Sequence, residues 1–216
     1  MAKHKIGILG TGDVGRVLAS GFVEAGHEVM LGSRDAKNEK VTQWVAKAGP
    51  RGKGGTFADA AKFGEVIVLA TLWGGTENAL QLAGAENLAG KILMDATNPL
   101  AQTPTGPSLA LGHTDSGGEQ VQRWAPKAKV VKVYNTVGNA HMIHPSFPGG
   151  PPDMFLCGND AEAKRTVAGF VKGFGWDVVD VGGIEGSRLL EPMCLLWVGY
   201  GMRTNSWNHA FKLLRK

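Results

Sequence analysis

Residues 5 to 25 leave this chain few folds to choose from. A short apolar run, Lys5 to Leu9, leads into Gly10-Thr11-Gly12-Asp13-Val14-Gly15. Arg16 to Ala25 follows, and Val14, Leu18, Phe22 and Val23 fall on one side of a helix that Gly26 closes. A GxGxxG string is weak in isolation. Between a strand and a helix, at the start of a βαβ unit, it reads as a phosphate-binding turn. Gly10 permits the tight turn, Gly12 lets a pyrophosphate approach the backbone, and Gly15 lets the helix lie close to the sheet. The free amides at the helix start then face the anion, helped by the helix dipole.

The alternation of strand and helix continues beyond this unit. Glu28 to Leu31 reads as a strand, and Asp35 to Ala48 as a helix with Val41, Trp44 and Val45 at helical spacing. Gly49 to Gly55 holds four glycines and a proline and reads as a loop. Thr56 to Lys62 is a short helix or turn. Strands are expected at Glu65–Ala70, Lys91–Ala96 and Lys129–Tyr134, with a helix at Thr76–Leu82 between the first two. Leu100 to Gly118, rich in Pro, Gly, Thr and Ser, reads as a long irregular segment, with Ser116 capping a helix that runs to Trp124. Four prolines and two glycines between His144 and Pro152 mark a boundary. Beyond it come a strand at Met154–Cys157, a helix at Ala161–Gly173 capped by Asn159 or Asp160, a strand at Asp177–Val181 and a long helix from about Glu185. The expectation is an α/β, Rossmann-type, doubly wound and mainly parallel sheet with a small C-terminal α/β portion. Residues 1–145 form the dinucleotide-binding domain, and 146–216 pack on it.

Charge excludes some functions. The net charge is +4 with the lysines dispersed, which suits an anionic small molecule and gives no nucleic-acid footprint. Cys157 and Cys194 stand far apart in apolar surroundings, without metal spacing, so they read as reduced, buried thiols in a cytoplasmic protein. No apolar run reaches the ~18 residues of a membrane span. His141 and His144 lie three apart, but Pro145 and the lack of further ligands argue against a metal.

The end of the second strand chooses between dinucleotides. NAD sites place an acid there for the ribose hydroxyls. Here it reads Gly32-Ser33-Arg34, with Lys37 close behind. A neutral Ser33 and the guanidinium of Arg34 suit a 2′-phosphate, so NADP(H) is the expected cofactor. Asp35 is expected to cap the second helix and point away. Three further strand ends, Thr71-Leu72-Trp73, Ala96-Thr97-Asn98-Pro99 and Asn135-Thr136-Val137-Gly138, are expected to surround the nicotinamide. No catalytic triad is evident in the sequence, and no catalytic side chain is expected. Arg188 and Glu191 lie three apart on the last helix and read as one ion pair or as an acceptor contact. Leu189, Leu190, Met193, Leu195, Leu196 and Trp197 make that helix apolar on most sides, for burial against the sheet or in a homodimer interface.

Taken together, Gly10 to Gly15, Gly32-Ser33-Arg34, Asn135-Thr136-Val137, Leu156-Cys157-Gly158-Asn159-Asp160 and Ser187-Arg188-Leu189-Leu190-Glu191-Pro192 resemble NADPH-dependent reductases of the deazaflavin coenzyme F420. They also resemble the cytosolic oxidoreductase domain of membrane metalloreductases. The resemblance spans about residues 4 to 214. It implies direct hydride passage from NADPH to a flavin-like ring, with coenzyme F420, FMN or FAD as second substrate. It further implies that Thr11, Gly12, Asp13 and Val14 line the pyrophosphate, Ser33 and Arg34 the 2′-phosphate, and Leu72 and Trp73 the nicotinamide. The strand ends Asp95 to Pro99 and Asn135 to Val137 depart from the deazaflavin reductases, and the metalloreductase domain is nearer at the second. Flavin-mediated ferric reduction and a non-catalytic NADP(H)-sensing module are the alternatives.

Overall fold

The computed structural model describes residues 3–216. Its central strands are apolar on both faces, and alternate residues feed two cores. In β1 (Lys5–Leu9), Ile6 and Ile8 enter one core while Leu9 enters the other. The first core is covered by α1 (Asp13–Glu24) and, after β2 (Glu28–Ser33), by α2 (Glu39–Ala48), through Leu18, Phe22, Val41 and Trp44.

β3 (Gly52–Thr56) corrects the sequence reading, which made Gly49–Gly55 a loop and began a short helix or turn at Thr56. It is the edge strand beside β2, paired in parallel from Val29↔Gly52 to Ser33↔Thr56. Glycine is needed here because helices lie directly on the strand. A Cβ at Gly52 would stand 2.2 Å from the Ala48 Cβ, and one at Gly54 2.4 Å from a Val41 methyl. Strand propensity reflects room for side chains, and at Gly52 and Gly54 there is none.

Thr56 caps α3 (Phe57–Phe63) in a reciprocal capping box with Asp59. α3 lies so close on β1 that a Cβ at Gly7 would come within 2.1 Å of the Ala60 carbonyl oxygen. β4 (Val66–Leu69) sends Val66 and Val68 to the first core, and Ile67 and Leu69 to the second. α4 (Thr76–Ala83) and the short α5 (Ala85–Leu88) cover the second core and lead to β5 (Ile92–Asp95).

The segment read as irregular contains a hairpin, β6 (Leu100–Thr103) with β7 (Gly106–Leu109). Its composition hid it. The turn rests on Gly106 at φ +117° and on a bond from the Thr103 hydroxyl to the Gly106 carbonyl, 2.6 Å. α6 (Gly117–Trp124) starts at Ser116 as read from the sequence. β8 (Lys129–Lys132) then adds beside β5.

β9 (Asp153–Gly158), wholly buried, pairs antiparallel with β8. α7 (Ala161–Gly173), capped by Asp160, returns the chain to β10 (Asp177–Asp180), parallel to β9. α8 (Ser187–Thr204) closes the fold. The sheet order is β3-β2-β1-β4-β5-β8-β9-β10. Strand order reverses beside β1, so the switch point of the sheet lies between β1 and β4.

Gly7→Ala is expected to destabilise by about 1–3 kcal/mol through the clash with the Ala60 carbonyl. Gly149→Ala, which meets nothing within 4 Å, is the control with no loss. Urea unfolding of the two variants checks this.

Candidate functional site

The glycine loop leaves β1 at the switch point. Gly10 takes φ +131°, and a Cβ there would lie 2.3 Å from the Ala70 carbonyl oxygen. A Cβ at Gly15 would lie 2.1 Å from the Gly10 carbonyl oxygen, so α1 starts tight against the loop. Gly12 caps α1 without any side-chain bond, and a Cβ added to it meets nothing within 4 Å. Asp13 pairs with Arg16 rather than capping. By contrast Asn38, Thr56, Ser116 and Asp160 cap α2, α3, α6 and α7. The first-turn amides of α1 therefore lack a side-chain acceptor beneath open space, which fits a pyrophosphate.

β2 brings the next residues beside this loop. Leu9 pairs with Gly32, and the Gly10 amide donates to the Gly32 carbonyl at 3.3 Å. Ser33 is buried, and its hydroxyl bonds the Asp35 carbonyl. Arg34 and Lys37 are exposed, and among the described residues neither pairs with a carboxylate. Asp35 does not cap α2, contrary to expectation. Asn38 does, accepting from the Lys40 amide at 3.0 Å. Asp35 closes its own turn instead, accepting from the Lys37 amide at 2.9 Å, because the chain makes a turn before the helix starts.

The other strand ends differ in character. Thr71 bonds Thr76 at 2.9 Å, Leu72 is 90% exposed, and Trp73 lies against Trp124 with ring centres 5.4 Å apart. Ala96, Thr97, Asn135 and Val137 are buried. Asn98 donates to the Asn135 carbonyl at 3.0 Å, and the Asn135 amide donates back to the Asn98 side chain at 3.1 Å and to the Leu190 carbonyl at 2.8 Å. Gly138 abuts Trp197; a Cβ there would lie 2.7 Å from the indole. The structure thus clasps loops 96–99 and 135–138 together, with the side chains of Thr97 and Asn135 committed to internal bonds.

Beneath these loops lies a charge cluster that the sequence reading missed. Asp95 and Lys132 end neighbouring strands in register. The Lys132 ammonium, 0% exposed, meets Asp95 at 3.0 Å, Glu191 at 2.8 Å and the Thr97 carbonyl at 2.9 Å. Burial works against its charge, but Asp95 and then Glu191 outweigh that and hold its proton more tightly than an ordinary lysine's. Glu191 also accepts from the Gly117 and Gly118 amides, each at 2.9 Å, at the start of α6. A charged residue closing each of two apolar strands was the available signal.

Arg188 and Glu191 do not pair. Arg188 meets Glu119, with Nε to Oε2 at 2.8 Å, because Glu191 turns to the interior. His141 meets Asn208 at 3.2 Å and His144 meets Glu24 at 3.4 Å. Cys157 and Cys194 are free and buried, and burial pushes their thiols up to about 11 and about 12. No described helix is long and apolar enough to cross a membrane.

The fold and its glycine loop define a Rossmann-type α/β protein. The model of the family "NADP oxidoreductase coenzyme F420-dependent" matches residues 5–99. The F420-dependent NADP reductase of Methanocaldococcus jannaschii is 33% identical, with 94% of each chain covered. A crystal structure of a candidate F420-dependent NADP reductase from Arthrobacter sp. FB24 is 41% identical, with a TM-score of 0.90, covering 98% of this chain and all of that one. Metalloreductase STEAP3 of Rattus norvegicus is 32% identical over 88% of this chain, which spans only 36% of that protein. A reductive aminase from Aspergillus terreus in complex with NADPH shares the fold at 22% identity and a TM-score of 0.65, over 94% of this chain and 64% of that one. The chain belongs to the F420-dependent NADP reductase family.

The Glu119–Arg188 pair yields a pH prediction. The hydrogen bond from Arg188 holds the Glu119 carboxyl below the 4.5 of an ordinary glutamate. A depressed carboxylate stabilises the fold above that value, and the contribution fades as pH falls through the lower folded-state value. Glu119→Gln is therefore expected to lower stability at pH 7 and to flatten its decline below pH 4.5. Thermal unfolding across pH 3 to 7 (about that range) measures it.

Proposed function

We propose that this chain is an NADP(H)-dependent oxidoreductase that moves a hydride between NADPH and a flavin or deazaflavin ring of the coenzyme F420 type, FMN and FAD being the related acceptors. The observation that carries the reading is that, among the described residues, Arg34 and Lys37 pair with no carboxylate and stand beside an α1 without a side-chain cap. The amides of residues 10–15 hold the pyrophosphate, with Thr11, Asp13 and Val14 at its sides. Ser33, Arg34 and Lys37 form the place for the 2′-phosphate: the two cations match its charge, and Ser33, small and neutral, puts no acid beside it. Thr71, Leu72 and Trp73 on one side, and Ala96, Thr97, Asn98, Asn135, Val137 and Gly138 on the other, shape the nicotinamide end. A dinucleotide held there would supply the hydride, and solvent the proton that a flavin-like acceptor needs for its two-electron reduction. The protein's part is alignment and exclusion of water. Residues 1–145 carry the dinucleotide contacts, and residues 146–216 complete the sheet and supply α8.

Ferric reduction through a flavin is a second reading, favoured by the likeness to a metalloreductase. An acceptor screen separates the two. NADPH oxidation by FMN, riboflavin or a deazaflavin without iron supports the first, and oxidation only with flavin plus a ferric chelate supports the second. No oxidation with any acceptor overturns both. Arg34→Asp is expected to weaken NADPH binding by about 10–100-fold, the worth of charge-assisted bonds, and to turn the preference toward NADH. Fluorescence titration with both dinucleotides reads this out. Unchanged NADPH affinity would exclude Arg34 from the 2′-phosphate site.

A further inference from the structure

The charge cluster and the clasped loops form one closed circuit. From Lys132 it passes to Asp95, whose other oxygen accepts from the Thr97 amide at 2.9 Å and the Thr97 hydroxyl at 2.6 Å. The adjoining Asn98 holds Asn135 by two bonds, and Asn135 holds the Leu190 carbonyl. The next residue, Glu191, returns to Lys132. Between Lys132 and Asn135 sits Tyr134, buried and at φ +62°, a backbone conformation that a bulky residue adopts only when its surroundings impose it. The links tie loop 96–99, loop 135–138 and α8 to one another and to the ends of β5 and β8.

Stability alone does not call for such a circuit. Replacing a buried ion cluster with apolar side chains of similar volume often leaves a protein as stable or more so. What an apolar filling lacks is direction. Three fixed acceptors around one ammonium define a position, whereas methyl groups tolerate sliding. The two loops so fixed are those assigned above to one side of the nicotinamide, and hydride transfer is sensitive to small misplacement of the reacting carbons.

We infer that Lys132 is a positioning residue for hydride transfer: locked by Asp95, Glu191 and the Thr97 carbonyl, it sets loops 96–99 and 135–138 in fixed relation to each other and to α8. The inference rests on the hydride-transfer reading above.

The test uses the full chain. Lys132→Met alone would strand two buried carboxylates, so it is combined with Asp95→Asn, which removes one charge of each sign and leaves Glu191 on the α6 amides. Glu191→Gln is the second variant and decides alone if the first does not fold. Two readouts are taken. Amide hydrogen exchange on the ligand-free protein is expected to speed up at least about tenfold at residues 97 and 135–138, with β1 and β4 unchanged. Single-turnover hydride transfer from 4-deuterated and ordinary NADPH to 5-deazariboflavin, FMN and riboflavin is expected to slow by about tenfold or more, with NADP⁺ affinity within about twofold of the parent. A folded variant that keeps both the parent's exchange pattern and its transfer rate overturns the inference alone. A parent that transfers no hydride to any of the three acceptors overturns the functional reading, and the inference with it.

Discussion

An ammonium sealed from water has to be matched by acceptors on every side, and Lys132 imposes that condition on the carboxyl edge of the sheet. Asp95 must close β5, Glu191 must reach inward from α8, and the Thr97 carbonyl must turn down toward the charge. Neighbouring residue choices follow from the same crowding. A Cβ at Gly118 would lie 2.1 Å from the Ser187 hydroxyl, and one at Gly117 2.9 Å from a Glu191 oxygen, so α6 begins with two glycines where α8 crosses it. Two carboxyl groups face the one ammonium, and one of them, Glu191, is also met by the amides and dipole at the start of α6.

Two helix starts therefore play opposite parts. That of α6 is filled by the protein's own groups, Ser116 on one side and Glu191 on the other. That of α1 is left bare, with glycine at its cap and the carboxylate of its own first turn, Asp13, turned to Arg16. The physics is the same at both, unsatisfied amides with a positive end of the dipole. The difference is whether the chain supplies the anion itself. On this basis the switch point divides into an open half at β1 and β2, suited to exchange a phosphate-bearing ligand, and a locked half at β5 and β8, suited to hold geometry. The matching family model covers residues 5–99, which take in the open half and, from the locked half, β5 and loop 96–99.

The apolar exterior of α8 adds a separate feature. Leu190, Cys194 and Trp197 face the interior, while Leu189 and Leu196 are 63% and 62% exposed. The helix read from the sequence as apolar on most sides thus has one face packed and another facing solvent.

Much of the architecture was legible because it depends on near neighbours in the chain. Continuous apolar runs and helical spacing place most strands and helices, and the glycine loop announces its own neighbours, since a tight turn and close helix packing each demand glycine at a set spacing. The lack of an acid at the very end of β2, where Gly32-Ser33 stand, and the presence of Arg34 can likewise be read without coordinates. Failures came where the deciding contact is distant. Gly52 to Thr56 looks like a loop until α2 is seen lying on it, and Leu100 to Leu109 looks irregular because its pairing partner, not its composition, makes it a hairpin. Arg188 and Glu191 share a helix but not a partner, because Glu119 and Lys132 come from elements 69 and 59 residues away, by the difference of their numbers. Local order and the character of the anion cradle belong to the sequence itself, being set by steric limits within a few residues. Which charges meet in the interior was decided only by the tertiary structure, because burial turns distant side chains into obligatory partners.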